Sequence, residues 1–378
     1  MEYGAIDLHK KESQVRILSE SGEVVDRRIQ TTRDRFTAMF GARPRMRILL
    51  EASTESEWVA QHLESLGHEV VVADPNYLPM YGHRSRRVKT DQRDVAALTE
   101  ACQRGIYRVV HRRSARQQGV QSQLNVRQEL VQARTRAISL ARAITRAAGL
   151  RVRSGRTETF LTRLDALDLP ASMKATLLPL RSVIEVLDDE LASADDQFTA
   201  MVSADAVVKR LTTLPSIGPI TASAYVAALD DVSRFSGAGQ VTSYLGLVPR
   251  EYSSGEQQRR GRILRSAHPH VQSLLVQAAW RMSRTSSPDT ATLRTWAQAI
   301  SRRRGKKVAM VALARRLARI LFAMWRDEVE YQPDRIRRQQ AKPATIGADR
   351  QAAAVVQKYD RRGRQAGGAS ARVALGRK

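Results

Sequence analysis

Four carboxylates in three short segments are the residues of this chain best suited to chemistry. Asp7 sits in Ala5-Ile6-Asp7-Leu8-His9, an apolar strand-like run. An acid there is costly to desolvate unless a cation or hydrogen bonds compensate it. Glu51 closes Ile48-Leu49-Leu50-Glu51 in a similar arrangement, and Asp91 and Asp94 lie three apart in Lys89-Thr90-Asp91-Gln92-Arg93-Asp94. That spacing, at a predicted helix start, puts both carboxylates on one helical face. Two acids on strands and two on one helical turn can converge on a point. Hard oxygen ligands there suit Mg²⁺ or Mn²⁺, which polarise a phosphate and activate an attacking oxygen. Singly, a strand-end acid reads as a turn residue and Asp-x-x-Asp as a helix cap with dipole support. Only the ordered set of four points to a metal.

A second constellation lies far downstream. Leu214-Pro215-Ser216-Ile217-Gly218-Pro219 reads as the turn of a helix-hairpin-helix-like element, with Gly218 opening a helix whose free N–H groups face a phosphate, or as an ordinary helix–helix turn. Tyr252-Ser253-Ser254-Gly255 follows, then Arg259-Arg260-Gly261-Arg262. A hydroxyl beside Gly, with arginines to neutralise a phosphorane, can attack a phosphodiester; the same residues can simply bind phosphate. Ser254 is the candidate and Ser253 the adjacent alternative. Arg84, Arg86, Arg87 and Lys89 form a further basic run just before the acid pair, able to touch RNA, DNA or acidic partners.

The elements that must position these residues fall into four regions. Residues 1–112 read as α/β. Strands are expected at Tyr3–Leu8, Ser13–Leu18 and Glu23–Gln30, then a helix at Thr31–Phe40, a strand at Arg45–Leu50, a helix at Glu55–Leu66 and a strand at Glu69–Ala73. A three-stranded meander followed by α-β-α-β-α is the order of a ribonuclease-H-like fold. Residues 113–206 carry two heptad-like stripes. One is Val126, Leu130, Ala133, Ala137, Leu140, Ile144, Ala147; the other is Leu177, Leu180, Ile184, Leu187, Leu191, Ala194, Phe198, Met201. The first helix is rich in arginine and the second in acids, so an antiparallel pair is expected, as an intramolecular hairpin or also as a dimerisation arm. Gly149–Pro170 between them is a linker or a small helical cap. Residues 207–332 read as mostly helical, with a Gly-rich loop section from Ser236 to Arg262. Residues 333–378 are polar and basic and read as a disordered tail, holding nucleic acid or merely solvated.

The 378 residues suffice for two or three domains. Sixty-three Lys and Arg against 38 Asp and Glu give a formal net charge of +25, which calls for a polyanion such as DNA or RNA. The single cysteine excludes an intrachain disulfide and fits a reducing cytosol. The chain opens into a strand-like run rather than a signal peptide, and no apolar stretch approaches the ~20 residues that span a membrane.

Several segments together resemble one family, the DEDD insertion-sequence transposases of the "IS one-ten" and "IS eleven-eleven" group. They are Ala5-Ile6-Asp7 with His9-Lys10 behind it, the Glu51 strand end, Lys89-Thr90-Asp91-Gln92-Arg93-Asp94, Pro215-Ser216-Ile217-Gly218-Pro219, and Tyr252-Ser253-Ser254-Gly255 followed by Arg259-Arg260-Gly261-Arg262-Ile263. The resemblance covers about residues 1–330. It implies a RuvC-like nuclease domain, a coiled-coil domain and a C-terminal transposase domain. It implies that Asp7, Glu51, Asp91 and Asp94 form an acidic tetrad for Mg²⁺ (or Mn²⁺) and that Ser254 becomes covalently linked to DNA. It further implies a homodimer assembling as a dimer of dimers, strand exchange through a Holliday-type junction, a structured noncoding guide RNA that pairs with target and donor DNA, and a prokaryotic cytoplasmic, nucleoid-associated location. The competing readings are a RuvC-type junction nuclease without a covalent step, and an architectural nucleic-acid-binding protein.

Overall fold

In the computed structural model, which describes residues 1–81, 90–254, 257–263 and 268–333, the chain forms two compact units dividing after Ser114. For most of one strand pair, β6 and β7 below, it describes the backbone alone.

The first unit contains strands β1 (Tyr3–Asp7), β2 (Glu12–Leu18) and β3 (Val24–Gln30), helix α1 (Arg33–Phe40), strand β4 (Arg47–Glu51), helix α2 (Ser56–Ser65), strand β5 (Glu69–Ala73) and helix α3 (Asp91–Arg104). This is the element order read from the sequence. The strands form one mixed sheet ordered β3-β2-β1-β4-β5, antiparallel among the first three and parallel from β1 through β4 to β5. Alternation along the central strands divides their side chains between two cores. Ile6, Ile48 and Leu50 pack with Phe36, Phe40, Val59 and Leu63 of α1 and α2. Ala5, Leu49 and Ala73 pack with Val95, Leu98 and Cys102 of α3 on the other face. Beyond α3 the chain returns to β5, where Asp74 N–H donates to Arg108 O at 2.9 Å and Val110 N–H to Val72 O at 2.8 Å.

In the second unit, α4 (Ala115–Ala147) and α6 (Ala171–Val202) are long helices, with the short α5 (Phe160–Asp165) between them. Arg127 pairs with Asp195; seven residues on, Arg134 Nη1 meets Asp188 Oδ1 at 2.7 Å, seven residues back along α6. That register is antiparallel and intramolecular. The predicted α6 stripe is buried at Leu177, Ile184, Leu191 and Phe198, though Val202 rather than Met201 ends it. The predicted α4 stripe holds only in part: Ala137 is buried and Ile144 packs against the same core, but Val126 and Leu140 are exposed, while Val120, Leu124, Ile138 and Ala141, outside the stripe, are buried. The segment from 149 to 170 is a packed helical cap, with Phe160, Leu164 and Leu169 closing a core with Ile138, Ala141 and Ile184.

Then come α7 (Ala206–Thr212), α8 (Pro219–Leu229), α9 (Ala238–Tyr244), strands β6 (Pro249–Ser254) and β7 (Gln257–Ile263), α10 (Pro269–Arg284), α11 (Ala291–Arg304) and α12 (Lys306–Arg326). Helix α8 is buried at every residue from Ala222 to Leu229, as its nearly unbroken apolar sequence requires. Tyr225 donates its hydroxyl to Ala318 O of α12 at 2.8 Å. The stretch expected as a Gly-rich loop, 236–262, is instead α9 and an antiparallel β6–β7 hairpin. The tail beyond 333 lies outside the described residues.

Candidate active site

The sheet register brings the first two acids together. Parallel pairing aligns Ile6 with Leu50, so Asp7 and Glu51 end adjacent strands at the same edge of the sheet. Helix α3 starts at Asp91, where Thr90 caps it by accepting from Arg93 N–H, and its first turn carries Asp91 and Asp94. Packing of Val95 and Leu98 beneath the sheet fixes that turn beside β1.

Asp7 shows that the four acids share one region. Burial is the largest influence and pushes its carboxyl above the ordinary aspartate range; His9 opposes this, and Glu51, Asp91 and Asp94 each raise it further. Among the described residues one group has metal-ligand spacing: ligand atoms of Asp7, His9 and Asp91 all lie within 4.8 Å of one another. His9 Nε2 is 3.5 Å from Asp7 Oδ2 and 3.8 Å from Asp91 Oδ1. Glu51 and Asp94 are not members of that tight group, though the charge of each acts on Asp7. Glu51 accepts a hydrogen bond from the Tyr81 hydroxyl, and Asp94 is buried. Beside Asp91 opens a cleft of about 350 Å³ whose lining includes Arg27 and Arg28.

His9 and Tyr81 are the site residues that sequence reasoning missed. His9 was legible in principle, because in extended chain a residue two beyond Asp7 returns to the same side. Tyr81, thirty residues from Glu51 in sequence, offers no comparable signal.

The donor set fits a divalent cation. Carboxylate oxygens and one imidazole surround a point where negative charge accumulates. The chemistry open to such a group is charge stabilisation at a phosphate.

The other predicted residues belong elsewhere. Ser254 and Ser253 lie at the closing end of the hairpin, in register with Gln257 and Gln258, while Arg259 and Arg260 face Tyr252 and Glu251 along the backbone pairing. Arg262 is also on β7. Tyr244 before the hairpin and His268 after it bring their rings to 4.7 Å, pinning its two ends together. Gly218 is the N-cap residue of α8, with open space where a Cβ would project. Arg84, Arg86, Arg87 and Lys89 fall outside the described residues. Among the described residues no helix is long and apolar enough to cross a membrane.

Comparison with known proteins agrees across both units. Residues 5–147 match a DEDD-type IS110 transposase family model, and residues 208–294 match a model described as Transposase IS116/IS110/IS902 family. The chain is 34% identical to the "Probable family 20 transposase" of Pseudomonas aeruginosa, over 87% of this chain and 98% of that one. It is 29% identical to the transposase for insertion sequence element IS1111A of Coxiella burnetii, over 62% and 66% of the two chains. With the transposase for insertion sequence element IS1328 of Yersinia enterocolitica it shares 25% identity over 84% and 95%.

Proposed function

The chain belongs to the IS116/IS110/IS902 family of transposases, enzymes that cut and transfer DNA, and from that premise we propose that its acidic cluster and its hairpin serine act on one scissile phosphodiester. Asp7, Glu51, Asp91 and Asp94 would hold Mg²⁺ (or Mn²⁺), which supplies positive charge to a phosphate oxygen. His9 sits among them as a nitrogen donor. Arg27 and Arg28, at the cleft beside Asp91, steer the backbone of the incoming strand. The oxygen of Ser254, or of Ser253 next to it, forms a bond to phosphorus as the bond to one deoxyribose oxygen breaks; that oxygen leaves as a hydroxyl and later attacks the phosphoserine to rejoin DNA. Arg259, Arg260 and Arg262 on the partner strand neutralise the phosphorane.

The single observation that carries this reading is geometric: ligand atoms of Asp7, His9 and Asp91, from the end of β1, just beyond it and the start of α3, lie within 4.8 Å of one another. Burial, with the nearby Glu51, Asp91 and Asp94, pushes the Asp7 carboxyl upward. Such an arrangement costs stability unless a cation belongs there. A structured guide RNA, a dimer of dimers, a coiled-coil domain over residues 113–206 and a nucleic-acid-holding tail complete the proposal; the +25 charge suits both polyanions.

The test is recombination between two plasmids, with denaturing gels for protein-linked DNA. Asp7→Asn and Ser254→Ala should each abolish recombinants, and the covalent adduct should require the serine. An adduct that persists in both Ser254→Ala and Ser253→Ala ends the serine assignment. The second reading, a metal-dependent junction nuclease, is favoured by one fact: the acidic cluster is complete within Met1–Ser114. Single-turnover cleavage that leaves no protein on DNA would select it.

A further inference from the structure

The second unit contains a cavity of about 680 Å³ between α12, Trp296 of α11 and the segment that follows α12. Its volume is within the ~300–1,000 Å³ of small-ligand pockets. Four arginines line it, Arg315, Arg316, Arg319 and Arg326, against a single acid, Glu330. Arg326 is already paired with Asp327 at 2.7 Å. The Nε of Arg315 is buried and meets no hydrogen-bond acceptor among the described residues. Arg316 stacks over Trp296, its guanidinium 4.7 Å from the ring centroid. Burial first, and the Arg319 charge second, hold its pKa below the ordinary arginine range. Tyr331 also lines the cavity and is fixed at both ends, its N–H donating to Thr213 Oγ1 at 3.0 Å and its hydroxyl to Asp289 O at 2.9 Å.

A rigid aromatic wall, concentrated guanidinium charge and a buried N–H without an acceptor describe a pocket short of an anion. We infer that this cavity receives one unpaired nucleotide of a single-stranded polynucleotide, its phosphate on Arg315 and Arg319 and its base against the aromatic wall of Trp296 and Tyr331. Two facts select that occupant. The chain's own continuation, residues 334–378, carries 12 Lys and Arg against 3 Asp, so the arginines repel it. A base-paired nucleotide reaches a cavity of this size only by unpairing and unstacking, whereas a single strand already presents its bases for stacking. The inference does not depend on the acidic cluster, and its test excludes divalent ions so that the two stand or fall separately.

The full-length protein in EDTA is titrated by fluorescence anisotropy with 12-nucleotide oligo-dT, oligo-U and a 12-base-pair duplex. Arg319→Gln and Arg315→Gln are compared with Arg302→Gln, an exposed α11 residue that does not line the cavity. Each cavity variant should weaken single-strand binding about 5–10-fold and lower the salt slope by about 0.7, the loss of one phosphate contact, with the duplex affected less than twofold. Arg302→Gln should change each Kd less than twofold. Independently of any variant, oligonucleotides bearing 5-iodouracil should photocrosslink the unaltered protein at Trp296 or Tyr331. Crosslinking by the DNA strand alone, the RNA strand alone or both identifies the source of the nucleotide. Equal losses for Arg319→Gln and Arg302→Gln, or crosslinks that map only outside the cavity, would overturn the inference.

Discussion

His9 Nε2 stands 3.5 Å from Asp7 Oδ2 and 3.8 Å from Asp91 Oδ1, so an imidazole completes the triangle that two carboxylates begin. Mg²⁺ favours oxygen ligands in a strict geometry, whereas Mn²⁺ accepts a nitrogen readily. The expected outcome is that His9→Ala lowers Mn²⁺-supported strand cleavage about 10–100-fold, with a smaller loss in Mg²⁺. Cleavage rates in the two ions decide it; equal losses in both would leave His9 with an orienting role instead.

Asp7 also predicts a trade between stability and activity. Its carboxyl is held above the normal range by burial and three neighbouring acids, so the ionised form is unfavourable where it sits. Asp7→Asn removes that charge and keeps the shape. In EDTA the variant should melt no lower than the unaltered protein, and it should be inactive. Added Mn²⁺ should raise the Tm of the unaltered protein by mass action, about 2.7 kcal/mol at a hundredfold excess over Kd, and leave the variant unmoved. A variant that melts well below the parent in EDTA would mean that Asp7 supports the fold.

Much of the first unit was legible because its strands carry unmixed signals. Ile6, Ile48, Leu49 and Leu50 are apolar toward both cores, as central strands of a mixed sheet must be, and the acids at their ends stand out against them. Helix α4 misled for the opposite reason. Its apolar residues occupy two flanks, and the seam toward α6 is partly made of Arg127 and Arg134, which meet Asp195 and Asp188. A reading that seeks apolar periodicity therefore selects Val126 and Leu140, which face solvent. The 236–262 stretch hid its elements because glycines at 237, 239, 246, 255 and 261 resemble a loop, although Gly237 and Gly246 flank a helix.

The charged seam makes a stability prediction. Arg134 and Asp188 are 13% and 23% exposed and 2.7 Å apart, so the pair is shielded from water. Asp188→Asn leaves a guanidinium without its counter-charge and should lower stability by about 1.5–3 kcal/mol, read by urea denaturation. Exchanging the two residues, Arg134→Asp with Asp188→Arg, should restore most of it. No loss in the single variant would place the stability of this pair of helices in its apolar heptads alone.

Acid should loosen the segment after α3 that returns to β5. Asp74 accepts hydrogen bonds from Asn76 N–H and from Arg108, and these hold its carboxyl below the normal aspartate range. A depressed carboxylate contributes stability that is complete above the unfolded-state pKa and is lost as pH falls through the lower folded value. Asp74→Asn should therefore cost about 1 kcal/mol at pH 7 and flatten the acid limb of the stability curve between about pH 4 and the acid end. An unchanged acid limb would assign it to other carboxylates.

Cys102 provides a readout for the helix that carries two of the acids. It is the chain's single cysteine, fully buried on α3 against Ala5, Leu49 and Val95, and burial pushes its thiol up to about 12. At pH 8 about one thiol in ten thousand would then be thiolate, against roughly a quarter for an ordinary cysteine. Labelling by a disulfide reagent under native conditions must therefore wait for α3 to lift from the sheet. The same motion would carry Asp91 and Asp94 away from Asp7, so a cation bridging these acids should hold the helix down. Mn²⁺ should slow Cys102 labelling several-fold in the unaltered protein and leave the rate in Asp91→Asn nearly unchanged. Rapid labelling in the absence of denaturant would show that α3 is not held as packed, and with it would go the convergence of the acids on which the metal site depends.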